Sequence, residues 1–446
     1  MVVVRGRFVV TMNSEMKVWK NGGVAVEDGE IVDVGRFEDL KQRYGGEIIG
    51  DEWKIVIPGL VNCHYHSREQ LAATLFPDGL GEAEWFNNYC LRYHEVLGPD
   101  EEKVALELAL YAMARNGVTA FSDGGLIYPD VSLTAVEKNP LRIYASTWCW
   151  DMPPRIRKTS EQAMKEIDEL RRKWAGKHRG LVEVCVTPIS VTTCSRELLH
   201  QTFSYAKSHQ LKTYIHTSSF REEVEKAIQT FGITPVGYLR REGLLRNYVN
   251  LLHAVHLTDE DVEWIAESGA RVVCCPWSSM KKGKGLAVSG RFPELLKKGV
   301  RVGLGADGAP SSQHVDMLRT AGAFAGLFRD ARMDAKAVTT TDALKAITST
   351  AADLLGASNR TGSIEKGKRA DLVLIDVRHP DFVPLSDPMQ ALVFSATGSA
   401  VDTVMVDGRI IVEHGEVKNV DFEELFRRAE KALEKIASKM GHQIPM

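Results

Sequence analysis

Four short apolar runs, far apart along the chain, each end in a residue able to bind a metal ion. The run IVIPGLVNCHYH closes on His64 and His66, TYIH on His216, VNLLH on His253, and VGLGAD on Asp307. In an extended strand, residues i and i+2 point to the same side, so His64 and His66 can aim both imidazoles at one point. Neutral imidazole is the commonest protein ligand for zinc-like metals. A lone H-x-H pair is more often packed or solvated than ligating. The constraint comes from repetition: a β-like run, a ligand-type residue at its C-terminal end, then a helical pattern or a loop. In a (β/α)8 barrel all such strand ends open on one pocket, where catalytic residues collect.

The rest of the chain supplies the remaining strands. From Pro58 to about residue 365 strand-like and helix-like segments alternate, as a parallel barrel requires. VTAFSDGG reads as the second strand, LRIYASTWCW as the third and LVEVCVTPIS as the fourth. LKTYIHT, YVNLLHAVH, ARVVCCPW and VRVGLGADG complete the set of eight. The helical stretch before the second strand stops at Gly117. Residues 75–97 form a longer insert with Trp85, Phe86, Tyr89 and Tyr93, either a lid that lends Trp85 to a substrate wall or a packed surface helix. Residues 1–57 and 366–446 are instead β-rich, with Asp28-Gly29 and Asp407-Gly408 as hairpin turns. The expected organisation is therefore α/β: a barrel over 58–365, and one small β-sandwich domain assembled from 1–57 and 366–446. The last segment, DFEELFRRAEKALEKIASKM, has helical apolar spacing and reads as a terminal helix.

Bulk properties exclude several classes. With 446 residues, 44% hydrophobic and 26% charged, the chain suits an ordinary globular protein with one large and one smaller domain. A formal net charge of −3 points to neither nucleic acid nor an anionic membrane as partner. No apolar run approaches the roughly 20 residues needed to span a bilayer. MVVVRGRFVV reads as a first strand rather than a signal peptide. Seven scattered cysteines without a C-x-x-C suggest neither disulfides nor a zinc ribbon, and a reducing cytoplasm is the expected location. Cys63, between Asn62 and His64, should face away from the imidazoles and pack as a small apolar residue.

PGLVNCHYH, YIHTSSFREEV, LLHAVHLTDEDV, CCPWSSMKKGKG and GLGADGAPSS, in this order and spacing, resemble the amidohydrolase superfamily. The resemblance covers nearly the whole chain and is strongest to the chlorohydrolase and aminohydrolase branch, which includes S-adenosylhomocysteine/methylthioadenosine deaminases and guanine deaminase. It implies metal ligation by His64, His66, His216 and Asp307, a set that the strand-end positions support independently. Three nitrogens and a carboxylate suit one divalent ion, Zn2+ first, with Fe2+ or Mn2+ as alternatives. The fourth strand lacks the lysine that bridges two metals in some members, which favours a single ion. The resemblance further implies that Asp307 is the general base and that His253 faces the attacking water or the developing oxyanion. His314, after the aspartate loop, could line the pocket or be merely exposed. Relatives in this branch commonly form dimers, so a homodimer is expected.

The chain also departs from that branch. A glutamate normally stands three residues after the fifth-strand histidine and shuttles a proton to a ring nitrogen; here the residue is Ser219. Glu222 and Glu223, farther along, should lie on the following helix, away from the metal. Ile189 replaces a histidine of the fourth-strand loop, and Ser278-Ser279 and Ser311-Ser312 replace Ser-Asn pairs. Ser219, Ile189, Trp85, Ser279 and His314 are thus the candidate substrate contacts. The expected activity is metal-dependent hydrolysis of a non-peptide C–N bond in a small cyclic or heterocyclic substrate. The alternatives are deamination of a purine, pyrimidine or triazine-like ring through a substitute proton carrier, dehalogenation, and a catalytically silent ligand-binding homologue.

Overall fold

A computed structural model describes residues 1–152 and 158–441. Eight parallel strands close a barrel. Leu60–His66, Val118–Asp123, Arg142–Ala145 and Val182–Val184 pair in sequence, as do Thr213–Thr217, Val249–His253, Arg271–Cys274 and Val302–Leu304. A bridge from Val186 to Thr213 joins the two groups. Asp307–Gly308, continuing the eighth strand, pairs with Tyr65 and His66 and shuts the cylinder. The strands are buried on both faces, as strands enclosed by helices must be. Intervening helices begin at side-chain caps such as Thr159 and Thr258, each in a reciprocal capping box.

The chain's two β-rich ends hydrogen-bond into one nine-stranded mixed sheet. Its joint lies where Lys54–Pro58 pairs antiparallel with Leu372–Asp376 and parallel with Phe8 and Val9. Asp28-Gly29 and Asp407-Gly408 take positive φ at both positions and turn their hairpins as expected. Arg142, the first residue of the third barrel strand, fastens the two units together. Its Nε donates to Asp371 Oδ2 at 2.6 Å and its Nη2 to Asp371 Oδ1 at 3.1 Å and to Asp407. The terminal helix, Phe422–Met440, lies along the helix Pro99–Arg115. Among the described residues no helix is long and apolar enough to cross a membrane.

All seven cysteines are buried and unpaired, and Cys63 Sγ lies against the Ala351 carbonyl, away from the pocket. Residues 82–96 of the insert are helical. Trp85 and Phe86 face a cavity, whereas Tyr93 packs beneath them and donates its hydroxyl to the Arg68 carbonyl at 2.7 Å. One face of the segment thus packs against the core, as the packed-helix expectation has it, and the other lines the cavity.

Candidate active site and metal centre

The strand register brings the distant ligand-type residues to one level. Asp307 stands opposite Tyr65 and Gly308 opposite His66, while Thr217, next to His216, stands opposite His253. His64 and His66 Nε2 lie 3.6 and 3.4 Å from the same oxygen, Asp307 Oδ1. Two atoms each about 2.1 Å from a tetrahedral zinc-like centre would be ~3.4 Å apart, so this spacing matches a shared ion. The His216 ring centroid is 5.0 Å from that of His64. His216 Nδ1 donates to the Ile189 carbonyl at 3.1 Å, which leaves its Nε2 free to accept a metal ion. His64 Nε2 is buried with no hydrogen-bond partner among the described residues. This orphaned nitrogen fits a metal ion better than it fits a closed hydrogen-bond network.

Asp307 divides its work between its two oxygens. Oδ1 faces the imidazoles; Oδ2 accepts from Ser278 Oγ at 2.6 Å and lies 3.9 Å from His253 Nε2 and 3.8 Å from Lys284 Nζ. Burial alone would raise the Asp307 pKa, but His64, His253 and Lys284 outweigh it and hold the carboxyl well below its ordinary range. Burial first, and then His64, pull His216 down to about 3. His66 and His253 are lowered in the same direction, again chiefly by burial. Neutral imidazoles facing an ionised carboxylate are the protonation state that a divalent ion needs.

These shifts predict how the metal-free protein responds to acid. Histidines whose folded pKa lies below the unfolded value of about 6.5 bind more protons when unfolded, so their contribution is present above that pH and lost below it. Chelator-treated protein should therefore melt at progressively lower temperature as pH falls from 6.5 towards 4. Melting curves at one-unit intervals provide the check; a melting temperature flat over that window contradicts the assignment.

Backbone strain gathers at the same strand ends. Ser218, His253, Ala254 and Asp307 are non-glycine residues with φ between 46° and 70°. Such positions cost about 1–3 kcal/mol each and cluster at functional sites. Gly124 is needed for a different reason, because a Cβ there would meet His66 Nδ1 at 2.3 Å.

The strand ends open into a cavity of about 880 Å3. Ser219, Ile189 and Trp85 line it, together with His66, His216, His253 and Asp307. Ser279 and His314 lie outside its wall: Ser279 is buried within the helix Pro276–Lys281, and His314 sets its ring 5.1 Å from Trp277 and accepts from the Asp316 N–H. Glu222 and Glu223 correct an expectation, since both line the cavity despite lying on the helix Arg221–Phe231. The Glu223 side chain folds back past the N-cap Phe220 to the loop that precedes the helix. Its Oε2 accepts from the Ser219 N–H at 2.7 Å, and its Oε1 is buried with no partner among the described residues.

Sequence reasoning also missed Glu69. Burial pushes its carboxyl up to about 7, against the pull of Arg68, and Oε2 rests against Gly308. Glu69, Cys90 and His94 cluster closely enough to suggest a second metal centre. However, Arg68 Nε donates to His94 Nε2 at 3.0 Å, and its Nη2 lies 3.7 Å from Glu69 Oε1. The guanidinium already supplies the cation, so this cluster reads as a hydrogen-bonded support for the cavity floor.

A family model described as the amidohydrolase family matches residues 55–411. The chain belongs to the amidohydrolase family. A second model, an imidazolonepropionase-like composite domain of bacteria, matches residues 22–46 of the mixed sheet. This amidohydrolase is 30% identical to a 5-methylthioadenosine/S-adenosylhomocysteine deaminase of Thermodesulfovibrio yellowstonii, over 96% of this chain and 97% of that one. It is 31% identical to the enzyme of the same name from Aquifex aeolicus, over 94% and 95% of the two chains. Its fold superposes on a zinc-bound adenosine deaminase of Xanthomonas campestris with a TM-score of 0.93 at 25% identity, covering 98% of each chain. On the zinc complex of atrazine chlorohydrolase from Arthrobacter aurescens the score is 0.89 at 21% identity, covering 97% and 100%. The amidohydrolase is thus a metal-dependent hydrolase acting on C–N bonds, with a barrel and a terminal β domain.

Proposed function

We propose that this amidohydrolase is an aminohydrolase, releasing ammonia from an amino-substituted nitrogen heterocycle in an aromatic-walled cavity. One observation carries the reading. A second carboxyl, Glu223, returns to the loop after His216, where Ser219 had left the chain without a proton carrier. The relatives named as deaminases of adenine-containing compounds support it.

The residues fit a single ion, best matched by zinc, held by His64, His66, His216 and Asp307 Oδ1. Such an ion, when bound, makes a water molecule acidic near neutral pH. Asp307 Oδ2, with Ser278 and His253 beside it, takes the proton as the water oxygen bonds to the ring carbon. Glu223 donates its proton to the adjacent ring nitrogen, and burial, by raising its pKa, favours the protonated form this requires. Asp307 then hands its proton to the departing amino group, which leaves as ammonia, while the new C–OH proton returns to Glu223. Both carboxyls end as they began, and the product ring is a lactam. Trp85 and Phe86 supply aromatic surface to the cavity wall, against which a heterocyclic ring can pack.

The test uses zinc-loaded enzyme with adenosine, 5′-methylthioadenosine, S-adenosylhomocysteine, guanine, atrazine and a cyclic imide. Ammonia from an amino-heterocycle is expected; chloride alone, or only a ring-opened acid, would overturn the reading. Glu223→Gln should lower kcat by about 10²–10⁴-fold. Adding Ser219→Glu to that variant should restore much of the loss, which a helix-capping role for Glu223 would not allow. A Glu223→Gln enzyme as fast as wild type would assign the proton transfer elsewhere.

A further inference from the structure

Lys284 is a buried ammonium that the reaction just described does not use. Its side chain is only 2% exposed, and Nζ faces the cavity over the Phe220 ring, 4.5 Å from the centroid. Asp307 Oδ2, at 3.8 Å, is beyond hydrogen-bond reach and already accepts from Ser278. No hydrogen bond satisfies the three Nζ donors among the described residues. The neighbouring Lys282 differs: its Nζ pairs with Glu82 Oε2 at 3.0 Å and sits 3.1 Å from the centre of the Trp85 ring.

The backbone places Lys284 deliberately inward. Gly283 and Gly285, on either side, both have positive φ, 62° and 79°, and the Lys284 N–H donates to the Ser279 carbonyl at 2.9 Å. This double turn points inward a lysine that a charged surface run would leave in water. Its charge is also poorly matched. Asp307 is the carboxylate in contact with Nζ, yet Oδ1 of that group faces the His64 and His66 imidazoles of the metal centre. A divalent ion there would claim most of the Asp307 charge, and Glu82, the other carboxylate that acts on Lys284, is already paired with Lys282, so this buried cation is poorly compensated.

Resting on the aminohydrolase reading, we infer that Lys284 forms a subsite for an anionic or strongly accepting oxygen, an oxo or enolate group carried by the substrate ring near its reacting carbon. An ammonium donor to such an oxygen makes a charge-assisted hydrogen bond and supplies the missing counter-charge. Substrates of this class are oxo-substituted aminopurines and aminopyrimidines rather than rings bearing the amino group alone.

Matched pairs test this. Zinc-loaded wild type should turn over guanine faster than 2-aminopurine, and isoguanine faster than adenine, by at least tenfold in kcat/KM. Lys284→Met should bring those ratios close to one; Lys284→Arg, which keeps the charge, should retain the preference, as should Lys282→Met. A calorimetric arm needs no turnover: urate, an anion at neutral pH, should bind at least tenfold more weakly to Lys284→Met than to wild type, and unsubstituted purine equally to both. Should the methionine variant fail to fold, Lys284→Gln takes its place in both arms. Equal losses for both members of each pair, or urate binding unchanged, would overturn the subsite. If no ring yields ammonia but urate discrimination persists, the aminohydrolase reading fails and the subsite stands.

Discussion

Asp307→Asn should cost at least about 10²–10⁴-fold in turnover while the fold survives. The loss is large because one carboxylate does two jobs. Oδ1 faces His64 and His66, where an ion would sit, and Oδ2 faces Ser278 and His253, where a proton must be held. An amide can keep a weak metal contact through its oxygen but cannot accept and return a proton. The backbone should tolerate the change, because φ at Asp307 is 62°, a left-handed value that Asn adopts more readily than other residues. Asp307→Ala lacks that tolerance and should also melt lower. Ammonia release, zinc content and a melting curve on the same samples separate these effects. Activity within tenfold of wild type for Asp307→Asn would mean that another group takes the water's proton.

The second large effect concerns stability. Arg142 and Asp371 have side chains 3% and 1% exposed, and they join the third barrel strand to the terminal sheet. Removing one member of a buried, hydrogen-bonded pair leaves the other as an uncompensated charge, at a cost of about 3–5 kcal/mol. Arg142→Met should therefore melt well below wild type, and the double variant Arg142→Met/Asp371→Leu should recover part of the difference because it removes the stranded carboxylate as well. The effect has a pH signature. Burial tends to raise the Asp407 pKa, but Arg142 and Arg369 outweigh it and hold it below the ordinary value. A depressed carboxylate stabilises the fold above its unfolded pKa of about 3.9 and loses that contribution as pH falls through the folded value. The gap between wild type and Arg142→Met should thus be wide at pH 6 and shrink below about pH 4. A gap independent of pH would point to lost packing of the arginine stem instead.

Much of this architecture was legible before any coordinates. Barrel strands are buried on both faces and so read as continuous apolar runs, and their C-terminal residues must converge once the cylinder closes. That is why His64, His66, His216 and Asp307 could be grouped across more than 240 residues of chain, as the pairing of Asp307 with Tyr65 bears out for the fold. The hairpin turns at Asp28-Gly29 and Asp407-Gly408 were equally plain, because few residue pairs accept two positive φ angles in succession.

What was not legible depended on groups that carry no sequence pattern. The Ile189 side chain said nothing of its carbonyl, which accepts the His216 Nδ1 proton and so leaves Nε2 as the free nitrogen. Helical periodicity placed Glu223 on the following helix, away from the metal, and only the Ser219 N–H, in the loop after a left-handed Ser218, brought its carboxylate back. Nothing in the KKGKG run marks Lys284 as buried; the two flanking glycines, both at positive φ, turn it inward. Periodicity determined the strands, and with them the ligand-type residues that converge at one end of the barrel. Side-chain reach and loop dihedrals, which only tertiary packing sets, decided which further charges face the substrate.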